Sequence, residues 1–288
     1  MVDMLGSLRT VFFCHLLPSG TVLSFKATPI LTERTFTSMK KDLRCLSGTT
    51  LKLLAMLFML LDHMWATGIF GFSWLTAVGR LAFPIFAFQI AEGMARTHDF
   101  RKYASRMLLF ALISEIPFNF MMGGSAFYPL HQNVLFTFLI AMVLIRGLER
   151  IWAKHPGARW KLCSAAGFLL LGYTLGFVTF VDYYGFGVAM VLLFWLTREI
   201  RFGWLWQLLG MYLINWVQMG GLSYVLHLFG TEVWIPQQGL AMLALIPIWL
   251  YNGEKGPGGK KFRWFGYAFY PLHITVLLIL QAVIRYFM

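Results

Sequence analysis

The chain has 288 residues, 59% of them hydrophobic and only 12% charged, with a formal net charge of +12 and a mean hydropathy of +0.68. A soluble domain carries about twice that charged fraction, which excludes the ordinary soluble classes. Near-continuous apolar runs of about 20 residues also exclude a β-barrel, whose segments alternate over about ten. The composition predicts an all-α fold, a polytopic integral-membrane helical bundle with one membrane domain over residues 51–288.

Residues 1–50 read as an N-terminal cytoplasmic extension. Residues 1–38 mix Ser and Thr with one apolar stretch at 11–17, too short to span and not clearly followed by a small-residue cleavage site. Met39-Lys40-Lys41 then leads into the first long span like a natural start. Residues 1–38 are therefore expected to be dispensable; a cytoplasmic amphipathic helix is the other reading. Cys14, Cys45 and Cys163 have no paired spacing, so neither a zinc site nor a disulfide framework is expected.

Nine apolar spans can be drawn, at about 51–70, 72–95, 103–122, 133–152, 161–180, 183–198, 201–219, 236–251 and 265–287. The N-terminal side holds Arg9, Lys26, Arg34, Lys40, Lys41, Arg44 and Lys52, and the second connection holds Arg96, Arg101, Lys102 and Arg106. The fourth holds Arg146, Arg150, Lys154, Arg159 and Lys161, the sixth Arg198 and Arg201, and the eighth Lys255, Lys260, Lys261 and Arg263. The odd-numbered connections hold neither Lys nor Arg. The positive-inside rule then puts the N-terminus in the cytoplasm and the C-terminus outside the cell membrane. Membrane topology thus absorbs most of the net charge, and no nucleic-acid partner is expected.

Ionisable groups inside such spans are expensive and point to function. Asp62 and His63 lie in the first span, Arg80 in the second, Glu115 in the third and His273 in the ninth. At about 1.5 Å per residue, all five fall near one level of the bilayer, His63 about 18 Å from the inner face. A shared polar cavity follows as an expectation. Lys52 and His63 are separated by three helical turns plus about 20°, so they share a face. A cation at the cytoplasmic mouth and a deep histidine suit an elongated anionic donor; taken alone, Lys52 reads as a snorkelling helix-end lysine.

Asp62 points about 100° from His63, so pairing with Arg80 on the next span is expected, as a site or as a structural ion pair. Glu115 sits beside Pro117, with Asn119 one turn on; it reads either as a carboxylate orienting an imidazole or as a partner for groups freed by the proline. His273 follows Pro271, with Tyr270 on the same face. Asn133, Asp182, Gln218, His227, Glu232 and Gln237 lie at the outer ends, as an acceptor entrance or as ordinary loop residues. Residues 252–261 are Gly-rich and basic but lack the Gly-Lys-Ser/Thr of a phosphate loop. They read as a flexible cytoplasmic loop or as one closing over donor phosphates. No metal-ligand spacing appears, so no metal is expected.

Five segments are similar to the TraX family of membrane proteins, which is associated with N-terminal acetylation of pilin. They are residues 51–65 (LKLLAMLFMLLDHMW), 79–97 (GRLAFPIFAFQIAEGMART), 110–120 (FALISEIPFNF), 132–137 (QNVLFT) and 270–277 (YPLHITVL). There is a fainter likeness to the type 3 acyltransferases, which carry an Arg, ten residues and a His in their first span. Here Lys52 stands in the Arg position. The resemblance implies acetyl-CoA as donor and leaves the acceptor open: an amine or hydroxyl on a peptide N-terminus, a glycan or a lipid head group.

The expected activity is that of an integral-membrane acyl-CoA-dependent acetyltransferase. Lys52, Arg96, Arg101, Lys102 and Arg106 would hold the donor phosphates. His63 would act as general base or carry the acetyl group itself. Arg80 or His273 would stabilise the oxyanion. A proton-coupled transporter using the same buried His, Glu and Asp residues is the rival expectation; a structural role is the third.

Overall fold

The computed structural model describes residues 44–228 and 230–288. The expectation about residues 1–38 lies outside them. The described residues form one compact unit built almost wholly of helices.

The helices are α1 (Gly48–Ala66), α2 (Ser73–Gly79), α3 (Ala82–Arg96), α4 (Phe100–Gly123), α5 (Val134–Lys154), α6 (Ala158–Val178), α7 (Tyr184–Thr197), α8 (Gly203–Met211), α9 (Leu245–Trp249) and α10 (Gly259–Phe287). A π-helical stretch, Tyr212–Gln218, continues α8, and a 3₁₀ stretch, Gln237–Ala244, leads into α9. Each of the nine predicted spans coincides with one of these helices or joined stretches. Five of the helical stretches are long and apolar enough to cross a membrane: Gly48–Ala66, Ser73–Arg96, Phe100–Gly123, Ala158–Val178 and Gly259–Phe287. The protein is a helical membrane protein.

One prediction needs correction. The connection drawn at 220–235 as a plain loop contains an antiparallel hairpin, β1 (Ser223–Leu228) and β2 (Thr231–Pro236), a local feature of an otherwise all-helical fold. Alternating Tyr224, Leu226, Val233 and Ile235 carry the strand period that a search for long apolar runs passes over.

Local chemistry sets the helix ends. Ser47 caps α1 by accepting from Thr50 N–H at 3.2 Å, Asp99 caps α4 through Lys102 N–H at 3.0 Å, and Asn133 caps α5 through Leu135 N–H at 3.1 Å. The second span breaks at Arg80–Leu81. Pro84 explains this: it has no N–H to give the carbonyl of Arg80, four residues earlier.

The core belongs to α3, α5 and α7. Ile85, Ala87, Ala141, Met142, Ile145, Val188, Met190, Val191 and Leu192 are all completely buried. α6 is the opposite case: only Gly172 and Gly176 are buried on it, and Leu162, Leu170 and Val178 are about 70% exposed. An apolar helix with so little packing needs hydrocarbon around it. α1 packs against both α3 and α10, α10 also packs along α4, and Gln281 near the end of α10 donates to the carbonyl of Thr67 just past α1.

Candidate functional site

Helices α1, α3 and α10 carry two cavities, one above the other. The first lies at the end where α1 starts and measures about 380 Å³. Lys52, Arg96, Arg106, Lys255 and Arg263 line it, with Glu92 as the only carboxylate among its lining residues. Glu92 is bound to Arg96 at 2.7 Å, whereas Lys52, Arg106, Lys255 and Arg263 form no ion pair among the described residues. The cavity is therefore strongly cationic. Tyr103, Tyr267 and Phe262 supply apolar walls. Tyr103 fits because residue 93 is glycine; a Cβ there would stand 2.7 Å from its hydroxyl.

The Gly-rich segment before α10 is not a free loop. Gly48 N–H donates to the carbonyl of Glu254 at 2.8 Å and Thr49 N–H to that of Lys255 at 2.9 Å. Thr49 Oγ1 reaches the carbonyl of Pro257 at 2.5 Å, and Arg96 Nη1 donates to that of Gly253 at 2.7 Å. These bonds lay residues 253–257 along the start of α1 and bring Lys255 to the cavity wall. Arg96 also lies over the ring of Tyr251.

The second cavity is smaller, about 50 Å³, and deeper along the same helices. Asp62 and His63 of α1, Phe83 and Phe86 of α3, Tyr270 of α10, Val134 and Phe138 of α5, and Asp182 and Tyr183 line it. His63 follows the start of α1 by 15 residues and His273 follows the start of α10 by 14, so the two rings stand level. His63 Nδ1 and His273 Nε2 are 2.7 Å apart, with ring planes 9° from parallel. The other nitrogen of His273, Nδ1, is 2.6 Å from the carbonyl oxygen of Phe269. His273 is 6% exposed and does not line the cavity.

Beside the histidines, Thr76 Oγ1 donates to Asp62 Oδ1 at 2.7 Å and accepts from Arg80 Nη2 at 2.7 Å; Arg80 lies 3.5 Å from Asp62. Gly79 permits this: a Cβ there would fall 2.4 Å from that of Asp62. Tyr183 stacks on Phe83 at 3.9 Å. Tyr183 has φ of 60°, with Phe180 at 53° and Tyr184 at 46°. Three left-handed non-glycine residues in one connection are strained, which is characteristic of chain segments held for a site. They turn Asp182 and Tyr183 toward the cavity.

The structure brings together His63, His273, Asp62 and Arg80, with the expected Asp62–Arg80 pairing. It moves others. Glu115 meets neither His63 nor His273; it accepts from the amide of Asn133, so it braces the cap of α5. Arg80 and His273 stand one contact behind the cavity lining, against Asp62 and His63 respectively. Arg101 and Lys102 are exposed and off the basic cavity, and Lys102 is bound to Asp99 at 3.1 Å. One helical period explains it: Tyr103, Arg106 and Phe110 face inward, so 101 and 102 face away. Lys52, Arg96 and Arg106 do line that cavity, as expected.

The sequence reading missed Thr76 and Arg263 as site residues, and reached Lys255 only through the alternative of a 252–261 loop closing over donor phosphates. Thr76 stands one helical turn before Arg80, a spacing that signals contact. Near the outer end of α4, His131 lies 3.2 Å from Asp182. Burial opposes its charge, but the hydrogen bond and charge of Asp182, with Glu115 beyond, raise its pKa above the usual histidine value.

Among known proteins, the TraX protein family model matches residues 47–281. The probable fimbrial assembly protein FimC, serogroup H1, of Dichelobacter nodosus is 27% identical over 247 residues, which cover 80% of this chain and 94% of that protein. No solved structure matches. The chain belongs to the TraX family.

Proposed function

We propose that this TraX family member is an integral-membrane acetyltransferase, moving an acetyl group from cytosolic acetyl-CoA to an amine or hydroxyl reached from the membrane or external side. The observation that carries the reading is the pair of cavities on the same three helices, one larger and cationic, one small and lined by His63. Lys52 and His63 mark their two levels, eleven residues and about 16 Å apart along α1. Nine spans with a cytoplasmic N-terminus would put the cationic cavity in the cytoplasm and the C-terminus outside.

In this reading Lys52, Arg96, Arg106, Lys255 and Arg263 hold the donor phosphates, and the thioester reaches down to the second cavity. His63 takes the proton of the acceptor N–H or O–H as that atom bonds to the thioester carbonyl carbon. The carbon–sulfur bond then breaks, and the sulfur leaves with the electron pair and takes the proton as a thiol. Tyr270 lines the same cavity, and its hydroxyl would donate to the oxyanion. The Dichelobacter relative, a probable fimbrial assembly protein, makes a fimbrial component the first acceptor to test.

The test is acceptor-dependent release of free CoA thiol by purified protein in lipid nanodiscs. Release that needs both an acceptor and an intact His63 supports the proposal. If acetyl-CoA neither binds nor turns over, while protons move with a transported solute, the protein is the transporter.

A further inference from the structure

We infer that His273 is a positioning residue that fixes the tautomer of His63, through a chain of hydrogen bonds that starts at the backbone carbonyl of Phe269. The inference rests on the reading of His63 as the base.

The argument is one of donors and acceptors. A carbonyl oxygen only accepts, so the proton in the 2.6 Å contact with Phe269 belongs to His273 Nδ1. A neutral imidazole has one N–H, so His273 Nε2 bears a lone pair. The 2.7 Å contact from that atom to His63 Nδ1 then needs a proton on His63 Nδ1. That leaves His63 Nε2 as the unprotonated nitrogen. His63 lines the small cavity, and among the described residues no hydrogen bond occupies its Nε2.

The geometry agrees. Imidazole N–H bonds and lone pairs lie in the ring plane, and the two planes are within 9° of one another. The ring centres are 4.8 Å apart, about the spacing of two imidazoles meeting nitrogen to nitrogen at their edges. The opposite chain, with an imidazolium at His273, would put a proton on His63 Nε2 and abolish its use as a base. It would also leave a charge without an ion pair: among the described residues neither ring has one, and Asp62 is engaged by Thr76 and Arg80. The backbone of α10 thereby decides which nitrogen of a side chain on α1 can take a proton.

The experiment uses ¹⁵N-histidine magnetic resonance on the full chain in lipid nanodiscs, with His63 and His273 assigned from single variants. The expected spectrum shows both rings neutral and protonated at Nδ1. In His273→Leu the His63 signal should become a mixture of tautomers. Turnover of acetyl-CoA should fall about 10–100-fold, as for lost partners that orient a functional imidazole, with KM for the donor little changed. In His273→Gln the side-chain oxygen again accepts from His63 Nδ1, so tautomer and turnover should both return. A merely structural His273 would instead lower the folded fraction and leave the tautomer alone. The inference is overturned if wild-type His63 is protonated at Nε2, or if His273→Leu keeps the Nδ1 proton. Should the protein transfer no acetyl group at all, the spectra still decide, because loss of the tautomer in His273→Leu and its return in His273→Gln do not depend on turnover.

Discussion

The two cavities differ in how their polar groups are used. In the larger one, Lys52, Arg106, Lys255 and Arg263 are left without carboxylate partners, and the wall is open to one end of the bundle. Around the smaller one, Asp62 is bound to Thr76 and Arg80, and Arg80 also to Thr76. His273 is bound on both ring nitrogens. Unpaired surface charge attracts a ligand from a distance and is screened by salt. Satisfied, level and closely packed groups attract little but hold one geometry. The first arrangement suits capture, the second suits chemistry.

The largest expected effect separates the two outright. His63→Ala should lower acetyl transfer by about 10²–10⁴-fold, the usual contribution of a general base, while binding of CoA at the basic cavity stays near normal. Turnover is measured per molecule of folded, CoA-binding protein. More than about a tenth of normal turnover would show that His63 is not the base.

The converse change is next. Lys52→Ala combined with Arg263→Ala should weaken CoA binding by roughly tenfold or more, with a shallower dependence on salt and little change in the maximal rate. Arg101→Ala with Lys102→Ala should leave binding alone, because both side chains point away from the cavity. Thermal-shift titrations across ionic strength read both; equal losses in the two pairs would mean that the cavity is not the donor site.

Packing in the small cavity gives a stability effect. Gly79→Val places a side chain against Asp62, where even a Cβ would stand 2.4 Å from its neighbour. Overpacking of this kind costs about 1–3 kcal/mol. It should lower the unfolding temperature and also turnover, since Asp62 is displaced, while CoA binding per folded molecule persists. Loss of CoA binding in step with turnover would show that the two regions are not separable.

The smallest effect lies at the outer end. His131 has a pKa raised by Asp182, so the folded state holds its proton more tightly than the unfolded chain does. This stabilisation is fully present below the ordinary histidine value of about 6.5. It fades as pH rises from there through the higher folded value. The unfolding temperature of the wild type should fall slightly across that window, and His131→Leu should flatten the slope. An unchanged slope in His131→Leu would assign it to other groups.

Sequence by itself determined the helical membrane class and the positions of the helices, because burial in hydrocarbon demands long apolar runs and Pro, Ser, Asp and Asn mark where helices break or start. It also selected His63, His273, Asp62 and Arg80, since ionisable groups at depth survive in a membrane only for a reason. Depth counting works along one helix axis, and those four are fixed by depth and by pairs of neighbouring spans. Glu115 shares their level but faces Asn133, and level alone carries no azimuth. Only tertiary structure could rotate each helix, turning Arg101 and Lys102 outward while folding Lys255 and Arg263 against α1 from some 200 residues away. The tautomer of His63 is the extreme case. It depends on a carbonyl on α10 meeting a ring that meets another ring, a chain of contacts between residues 63, 269 and 273 whose directions are set by how two helices pack.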